Sequence, residues 1–349
     1  MATAPTRPAR PARPGLSRKS FLRLALLAGI GAGAAAVDRL YRPVGPFNYL
    51  RWLARGEAKR RFGPPAIVAL GRCPSYSDDV LACLRDLWRQ AEMPSVEGKR
   101  VLVKPNLVDS IEGRVATTAP QVVGAVVDLL RELRASEVVV GDGPAFRREA
   151  WPVVEACGLA EVLATRGAPF VDLNYDDPAP VPIRDGWFHR ADHLWLPRHV
   201  READLIVSLP KLKTHHWAGV SLSLKNLFGI VPGMIYGWPK NILHMNGIAP
   251  SILGLHQSLP PVVAVVDGIV SMEGDGPLFG TPVEHGLLAV GQDALAVDVT
   301  CMRAMGLPLD ASGHLWLAAW SGMGQAERIE VRGQSLQDLK RQYERPPSS

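Results

Sequence analysis

The residues best suited to chemistry fall in one run, Lys211-Leu212-Lys213-Thr214-His215-His216, which continues to Lys225-Asn226. Between Leu205 and Val266 there is no Asp, Glu or Arg, yet Lys211, Lys213, Lys225 and Lys240 and His215, His216, His244 and His256 all lie there. The next stretch reverses the balance, with six acids (Asp267, Glu273, Asp275, Glu284, Asp293, Asp298) and no Lys or Arg. Solvated surfaces mix the two signs. Their separation points to a basic wall facing something anionic, with carboxylates at hand for a metal or for the lysines. Lys211, Lys213 and Lys225 are candidate donors to carboxylate or phosphate oxygens, and Lys211 and Lys213, two apart, project to one side of a strand. Plain solvated lysines are the alternative, against which the apolar neighbours Leu209, Leu212, Trp217, Leu222 and Leu224 argue. Lys213 and His215 are the catalytic candidates, with the imidazole as acid/base or hydrogen-bond donor. A divalent metal is a second reading, with His215, His216, His244 and Glu273 (or Asp267) as ligands if folding brings them together. Adjacent histidines point apart, so one of the pair would work while the other packs.

Other polar residues are expected at the same edge. Lys104 with Asn106, and Lys225 with Asn226, suit an anionic group beside a neutral oxygen, although asparagine is also ordinary turn chemistry. Thr118, Asp142, Asp267 and Asp293 complete the ligand-binding set. No Gly-Lys-Ser/Thr P-loop or GxGxxG fingerprint follows a strand, and Ser208, Ser221 and Ser223 sit in no nucleophile elbow. Cys73, Cys83, Cys157 and Cys301 lack the CxxC spacing of thiolate zinc or iron–sulfur sites. The cofactor is therefore open, with an iron–sulfur cluster disfavoured. Cys73 and Cys83 either pair as a short disulfide or remain buried thiols.

These residues must be positioned by an α/β scaffold. Ala66–Leu70, Arg100–Val103, Glu137–Val140, 169–173, Leu205–Ser208, Val262–Val266 and Gly286–Val290 read as strands, alternating with helical stretches at Asp79–Ala91, from Thr118 (N-cap, with Pro120 in the first turn) to about Leu133, 149–164, and from an Asp293 cap to about Met305. Such alternation predicts a mostly parallel sheet flanked by helices. Five strands end in polar signatures: Lys-Pro-Asn, Gly-Asp-Gly, Lys-Leu-Lys-Thr-His-His, Asp-Gly and Gly-Gln-Asp. In open parallel sheets ligands bind beyond the carboxyl ends of the strands, so these loops are expected to form one crevice.

The net charge of +5 is uneven: thirteen Lys/Arg against Asp38 and Glu57 give residues 1–62 a net +11, leaving the remainder at −6. The basic balance argues for export machinery or a membrane surface rather than nucleic acid. Residues 1–20 are Pro/Arg-rich, and an apolar run of about 14 residues follows Arg23, shorter than the roughly 20 that a membrane span needs. With Ala34-Ala35-Ala36 behind it, this is the layout of a secretory signal. Ser17-Arg18-Lys19-Ser20-Phe21-Leu22 resembles the twin-arginine signal, with Lys19 in place of the second arginine. An exported, periplasmic or extracytoplasmic protein is expected, with an uncleaved N-terminal anchor as the alternative. The organisation expected is a leader over 1–37, a connector over 38–65 that lies on a membrane or packs on the domain, an α/β domain over 66–310, and a C-terminal helical extension and tail over 311–349.

Lys104-Pro105-Asn106-Leu107, Thr117-Thr118-Ala119-Pro120, Leu212-Lys213-Thr214-His215, Leu224-Lys225-Asn226-Leu227-Phe228-Gly229 and Asp267-Gly268-Ile269 with Glu273-Gly274-Asp275-Gly276-Pro277 together resemble the domain of unknown function 362 family over about residues 66–307. Family members often have His where Ala119 stands, and many carry a ferredoxin-like segment with clustered cysteines that this chain lacks. The resemblance implies where the site lies rather than a reaction. Two readings follow: an exported enzyme acting on a small anionic substrate, and a non-catalytic extracytoplasmic module that holds an anion or helps assemble a metal centre.

Overall fold

Strand side chains alternate between two apolar layers, as a period of two requires. β1 (Ala66–Arg72) sends Val68 and Leu70 into one layer and Ala69 into the other. β2 (Arg100–Pro105) and β3 (Glu137–Asp142) divide Leu102 and Val139 from Val101, Val103, Val138 and Val140 in the same way. Uninterrupted apolar runs are what strands buried on both faces need. Helices Ile248–Ser258, Ala294–Ala304 and Gly313–Trp320 cover the first face. Val80–Gln90, Pro120–Glu132 and Leu159–Ala164 cover the second. In Pro120–Glu132 the side chains of Val122, Val123, Val126, Val127, Leu129 and Leu130 are all buried, each worth about 1.5–3 kcal/mol of gross transfer energy. The result is a three-layer α/β/α arrangement. This computed structural model describes residues 46–109, 115–145, 148–183, 187–188 and 191–346. The expected signal therefore lies outside the described residues.

After β4 (Phe170–Asp172) a separate antiparallel pair, β5 (Ala179–Pro182) and β6 (His193–Leu196), stands apart from the main sheet. The chain returns as β7 (Leu205–Leu209), β8 (Lys211–His215) and the short β9 (Gly219–Val220), then β10 (Val262–Glu273), β11 (Thr281–Gly291) and β12 (Ile329–Gly333). The main sheet runs β12-β1-β11-β10-β7-β2-β3-β4, with β8 joined to β10 and β9 to β8. All its pairings are parallel except those of β11 with β1 and β10, and of β9 with β8.

Three expectations change here. β11 is the return strand of a hairpin with β10, so Gly291-Gln292-Asp293 emerges at the edge opposite the other four signatures. There Asp293 caps the helix Ala294–Ala304 by accepting from Ala296 N (3.1 Å) and also accepts from Gln325 N (2.8 Å). The C-terminal segment is not purely helical, since β12 adds to β1 as the edge strand. Thr118 is not the cap of its helix, which starts at Pro120 after Ala119.

The connector supplies the helix Pro46–Phe62, which packs on the domain: Trp52 is buried and stacks on Trp187 with centroids 3.9 Å apart. Among the described residues no helix is long and apolar enough to cross a membrane. Cys73 and Cys83 are free thiols.

Candidate functional site

The site is built where β7 runs on into β8. Pro210 interrupts the strand but not its register, since Ser208 stands opposite Ala264 and Lys211 opposite Asp267. The β8–β10 register then slips between Asp267 and Met272, so that Lys213 stands opposite Met272. The extended chain thus projects beyond the sheet edge and carries Lys211, Lys213 and His215 on one face.

The three lysines of this region do different work. Lys211 Nζ lies 2.6 Å from Asp267 Oδ2 and donates to the Tyr76 hydroxyl at 2.8 Å, both ends of the ion pair being buried. Tyr76 donates in turn to Asp267 Oδ1 (3.0 Å), and Ala119 N to Oδ2 (2.9 Å). Lys211 and Asp267 therefore neutralise each other outside the cavity. Lys213 donates to Ala116 O (2.6 Å) and Pro277 O (3.3 Å). Burial, with Lys225 and Lys211 nearby, pushes its pKa well below that of an ordinary lysine. It pins the loop around Pro277 that walls the cavity, and is not itself in the lining. Lys225 is different. Its Nζ sits 4.5 Å from the centroid of the Phe228 ring, and among the described residues no carboxylate or carbonyl accepts from it. Burial, reinforced by Lys104, lowers its pKa to about 8.

Beneath Lys225 lies a fixed polar platform. Lys104, at the end of β2, pairs with Asp142 at the end of β3 (Nζ to Oδ1 2.6 Å) and donates to Pro105 O (2.6 Å) and Asn226 Oδ1 (3.3 Å). Asp142 also accepts from Leu107 N and Gly143 N, both at 2.7 Å. Asn226 donates to Lys104 O (2.9 Å) and Ser208 Oγ (3.2 Å), which locks α-helical residues Ser223–Asn226 onto β2 and β7. Gly229 must be glycine, because a Cβ there would press on Asp142 Oδ1 and lie 2.7 Å from Lys104 Nζ. Thr118 accepts from Asn106 N (2.9 Å) and donates to Leu209 O (2.7 Å), so it braces the loop rather than facing a ligand.

Above the platform is a cavity of about 310 Å3, lined by Lys104, Asn106, Leu107, Asp142, His215, His216, Trp217, Ser221, Lys225, Asn226, Phe228, His244 and the loop Pro277–Phe279. Its walls are largely apolar. Asn106 Oδ1 is buried without a hydrogen-bond partner, an acceptor lacking a donor of the kind buried groups normally have. His215 Nδ1 accepts from Trp217 N (3.1 Å) and Ala218 N (3.3 Å). Burial, with Lys225 and Lys213 adding to it, drops its pKa to about 2. The ring is neutral with its proton on Nε2, so it offers an N–H donor. His216 Nδ1 and His244 Nδ1 donate to Gly276 O (2.7 Å) and Lys240 O (3.1 Å). Lys240 is buried and donates to Asn174 Oδ1 (3.0 Å) and Val231 O.

Of the metal set, the three histidines share the cavity but Glu273 does not, and it accepts instead from Glu344 N (2.9 Å). The Trp217 ring stands 4.9 Å from His216 and 5.9 Å from His244, centroid to centroid. Among the described residues no group of three or more His, Cys, Asp or Glu is arranged to hold a metal. Several contributors escaped the sequence reading: the walls Trp217, Phe228 and Phe279, Tyr76 behind Lys211, and Asp298. The last accepts from Ser223 N (2.7 Å) and Leu224 N (2.9 Å), and burial raises its pKa to about 7. Trp217 carried a signal only as an apolar neighbour of the lysines, Asp298 only as a member of the acidic stretch, and Phe228 through the Leu-Lys-Asn-Leu-Phe-Gly motif.

Fold and cavity together define an α/β protein with a crevice at the carboxyl edge of a mainly parallel sheet. The chain belongs to the family described as Domain of unknown function (DUF362), which matches residues 101–303, from β2 through most of the helix Ala294–Ala304. It is 35% identical over 242 residues to the thylakoid-associated protein sll1697 of Synechocystis sp., across 66% of this chain and 72% of that protein. A solved structure with a similar arrangement is the lactate racemase apoprotein of Thermoanaerobacterium thermosaccharolyticum, at 16% identity and a TM-score of 0.43, over 69% of this chain and 57% of that one.

Proposed function

We propose that this protein binds a small organic anion in the cavity above Lys104 and Asp142, and that it works at an extracytoplasmic membrane surface. The observation that carries the binding reading is Lys225. Lys104, Lys211, Lys213 and Lys240 each donate to protein oxygens, whereas Lys225 rests on an aromatic ring in the cavity wall. A cation held in an apolar cavity without a counter-charge is stabilised by an anionic ligand. In this reading the anion meets Lys225, the His215 Nε2–H donates to one of its oxygens, and Asn106 Oδ1 accepts from a hydroxyl or amine on it. The apolar walls accommodate the carbon skeleton. The signal-like leader supports the location, and so does the thylakoid association in the name of the Synechocystis relative.

The test is a thermal-shift and calorimetric screen of small carboxylates and phosphates against the full chain, repeated with Lys225→Ala and His215→Ala. Saturable stabilisation that both variants lose is the expected result. Retained binding in Lys225→Ala sinks the assignment. A non-catalytic module is the second reading, and one observation favours it. The Nδ1 atoms of all three cavity histidines are already committed to backbone partners, which leaves His215 a poor proton shuttle. Tight retention without turnover marks the module, and turnover marks the enzyme.

A further inference from the structure

Lys225 can do more than attract charge. A lysine attacks a carbonyl only as the free amine, and burial in an apolar pocket beside another cation is what frees it. Lys225 has both conditions: its Nζ sits against the Phe228 ring, and Lys104, bonded to the adjoining Asn226, is close enough for its charge to be felt. With its pKa lowered to about 8, roughly a tenth of the amine is unprotonated at neutral pH, on the order of two hundred times the fraction for an ordinary lysine. Lys240 is lowered further, to about 7, but it is sealed in the interior and occupied by Asn174 and Val231. Lys213 is likewise spent on carbonyls. Only Lys225 among these combines the cavity with an uncommitted nitrogen.

We infer that Lys225 forms a covalent imine with a carbonyl-bearing organic anion, a 2-oxo acid being the class whose groups match the cavity. This rests on the anion-binding reading above. The amine nitrogen attacks the keto carbon, the keto oxygen leaves as water after taking up two protons, one from the nitrogen and one from solvent, and a protonated C=N bond replaces C=O. No oxidant or reductant takes part. The protonated imine keeps its positive charge next to the carboxylate, so the anion loses no counter-charge when the bond forms. The His215 N–H is the donor available to the keto oxygen as it becomes a hydroxyl. Asn106 Oδ1, buried and unpartnered, is the acceptor available to that hydroxyl's proton. Aromatic and aliphatic walls at Trp217, Phe228 and Phe279 suit a 2-oxo acid with an apolar side chain.

The experiment incubates the full chain with pyruvate or phenylpyruvate and sodium cyanoborohydride, which delivers hydride to the imine carbon, and maps adducts by peptide mass spectrometry. Isothermal titration without reductant measures binding separately. The expected result is a reduced adduct on Lys225 at least about tenfold above that on the exposed Lys340, forming faster as pH rises from about 6 to 8 and then levelling. Lys225→Arg, which keeps the charge, must abolish it. Saturable binding with no adduct on Lys225 overturns the imine and leaves the anion site standing. Equal labelling of Lys225 and Lys340 also overturns it. Neither binding nor adduct overturns both readings.

Discussion

The Lys104–Asp142 pair offers a severe test of how the site is built, because both partners are almost fully enclosed, at 1% and 3% side-chain exposure. Replacing Asp142 by Asn keeps the shape but removes the charge facing Lys104. It also places an amide N–H₂ where oxygens accept from Leu107 N or Gly143 N. Removing one partner of a buried pair leaves the other uncompensated and costs about 3–5 kcal/mol. Urea unfolding followed by tryptophan fluorescence reads this directly. With an m-value of about 3 kcal/mol/M, the midpoint should fall by roughly 1–1.7 M. Glu132→Gln in the exposed Arg85–Glu132 pair is the control, with no resolvable shift expected, since both side chains are about half solvated at 52% and 45%. Ligand binding should fail in Asp142→Asn even where it is folded, because Leu107 and Gly143 line the cavity. A loss smaller than about 1 kcal/mol would refute the reasoning, because it would mean that water reaches the pair or that Lys104 is neutral in the folded state.

Three further outcomes are expected. Anion affinity should be greatest below about pH 8 and decline above it, since Lys225 carries its charge only below its folded pKa; an affinity constant up to about pH 10, as an ordinary lysine would give, tells against Lys225 as the anchor. Thr118→Val removes one donated and one accepted bond in a buried brace and should destabilise by about 1–3 kcal/mol, with weakened ligand binding through the displaced Asn106 loop; calorimetry reads both. Asp293→Ala should cost about 1–2 kcal/mol as a lost helix cap while leaving ligand affinity at the wild-type value, because Asp293 stands at the far edge of the sheet; a changed affinity would place the site elsewhere.

The strands were legible because each is an apolar run that must be buried on both faces, as Val101–Val103 and Val138–Val140 are. Their direction was not. An apolar run carries no polarity, so Gly286–Val290 read as one more parallel strand, and the hairpin that reverses it became visible only through the register of Asp267 with Leu288. The segment Lys211–Asn226 was legible as a centre of chemistry for the same reason that its lysines were not separable. A sequence shows the sign of a charge but not what lies across from it. Asp267 is 56 residues from Lys211, and Asp142 is 38 from Lys104. These distances along the chain are closed only by sheet pairing. The histidines were similarly ambiguous, since the role of His215 depends on two backbone N–H groups at Trp217 and Ala218 that no residue pattern announces.

This changes what the charge segregation means. The basic stretch and the acidic stretch behind it looked like two walls of one crevice. In the fold they are adjacent strands, and part of the separation is simply undone by pairing: Lys211 meets Asp267 across the β8–β10 ladder. Lys104 is cancelled by Asp142, while Lys213 and Lys240 are absorbed by carbonyls and Asn174. Such neutralisation is required of any cation buried in an apolar interior, so none of these pairs argues for a ligand. What remains is the difference between five lysines and their internal partners, and that remainder is Lys225, in a cavity that also holds an N–H donor and a buried, unpartnered oxygen. The functional signal is therefore the residual charge after internal pairing, not the basic run as a whole. It also explains why Lys213, more completely buried and more strongly shifted, is expected to affect stability on substitution while Lys225 is expected to affect binding.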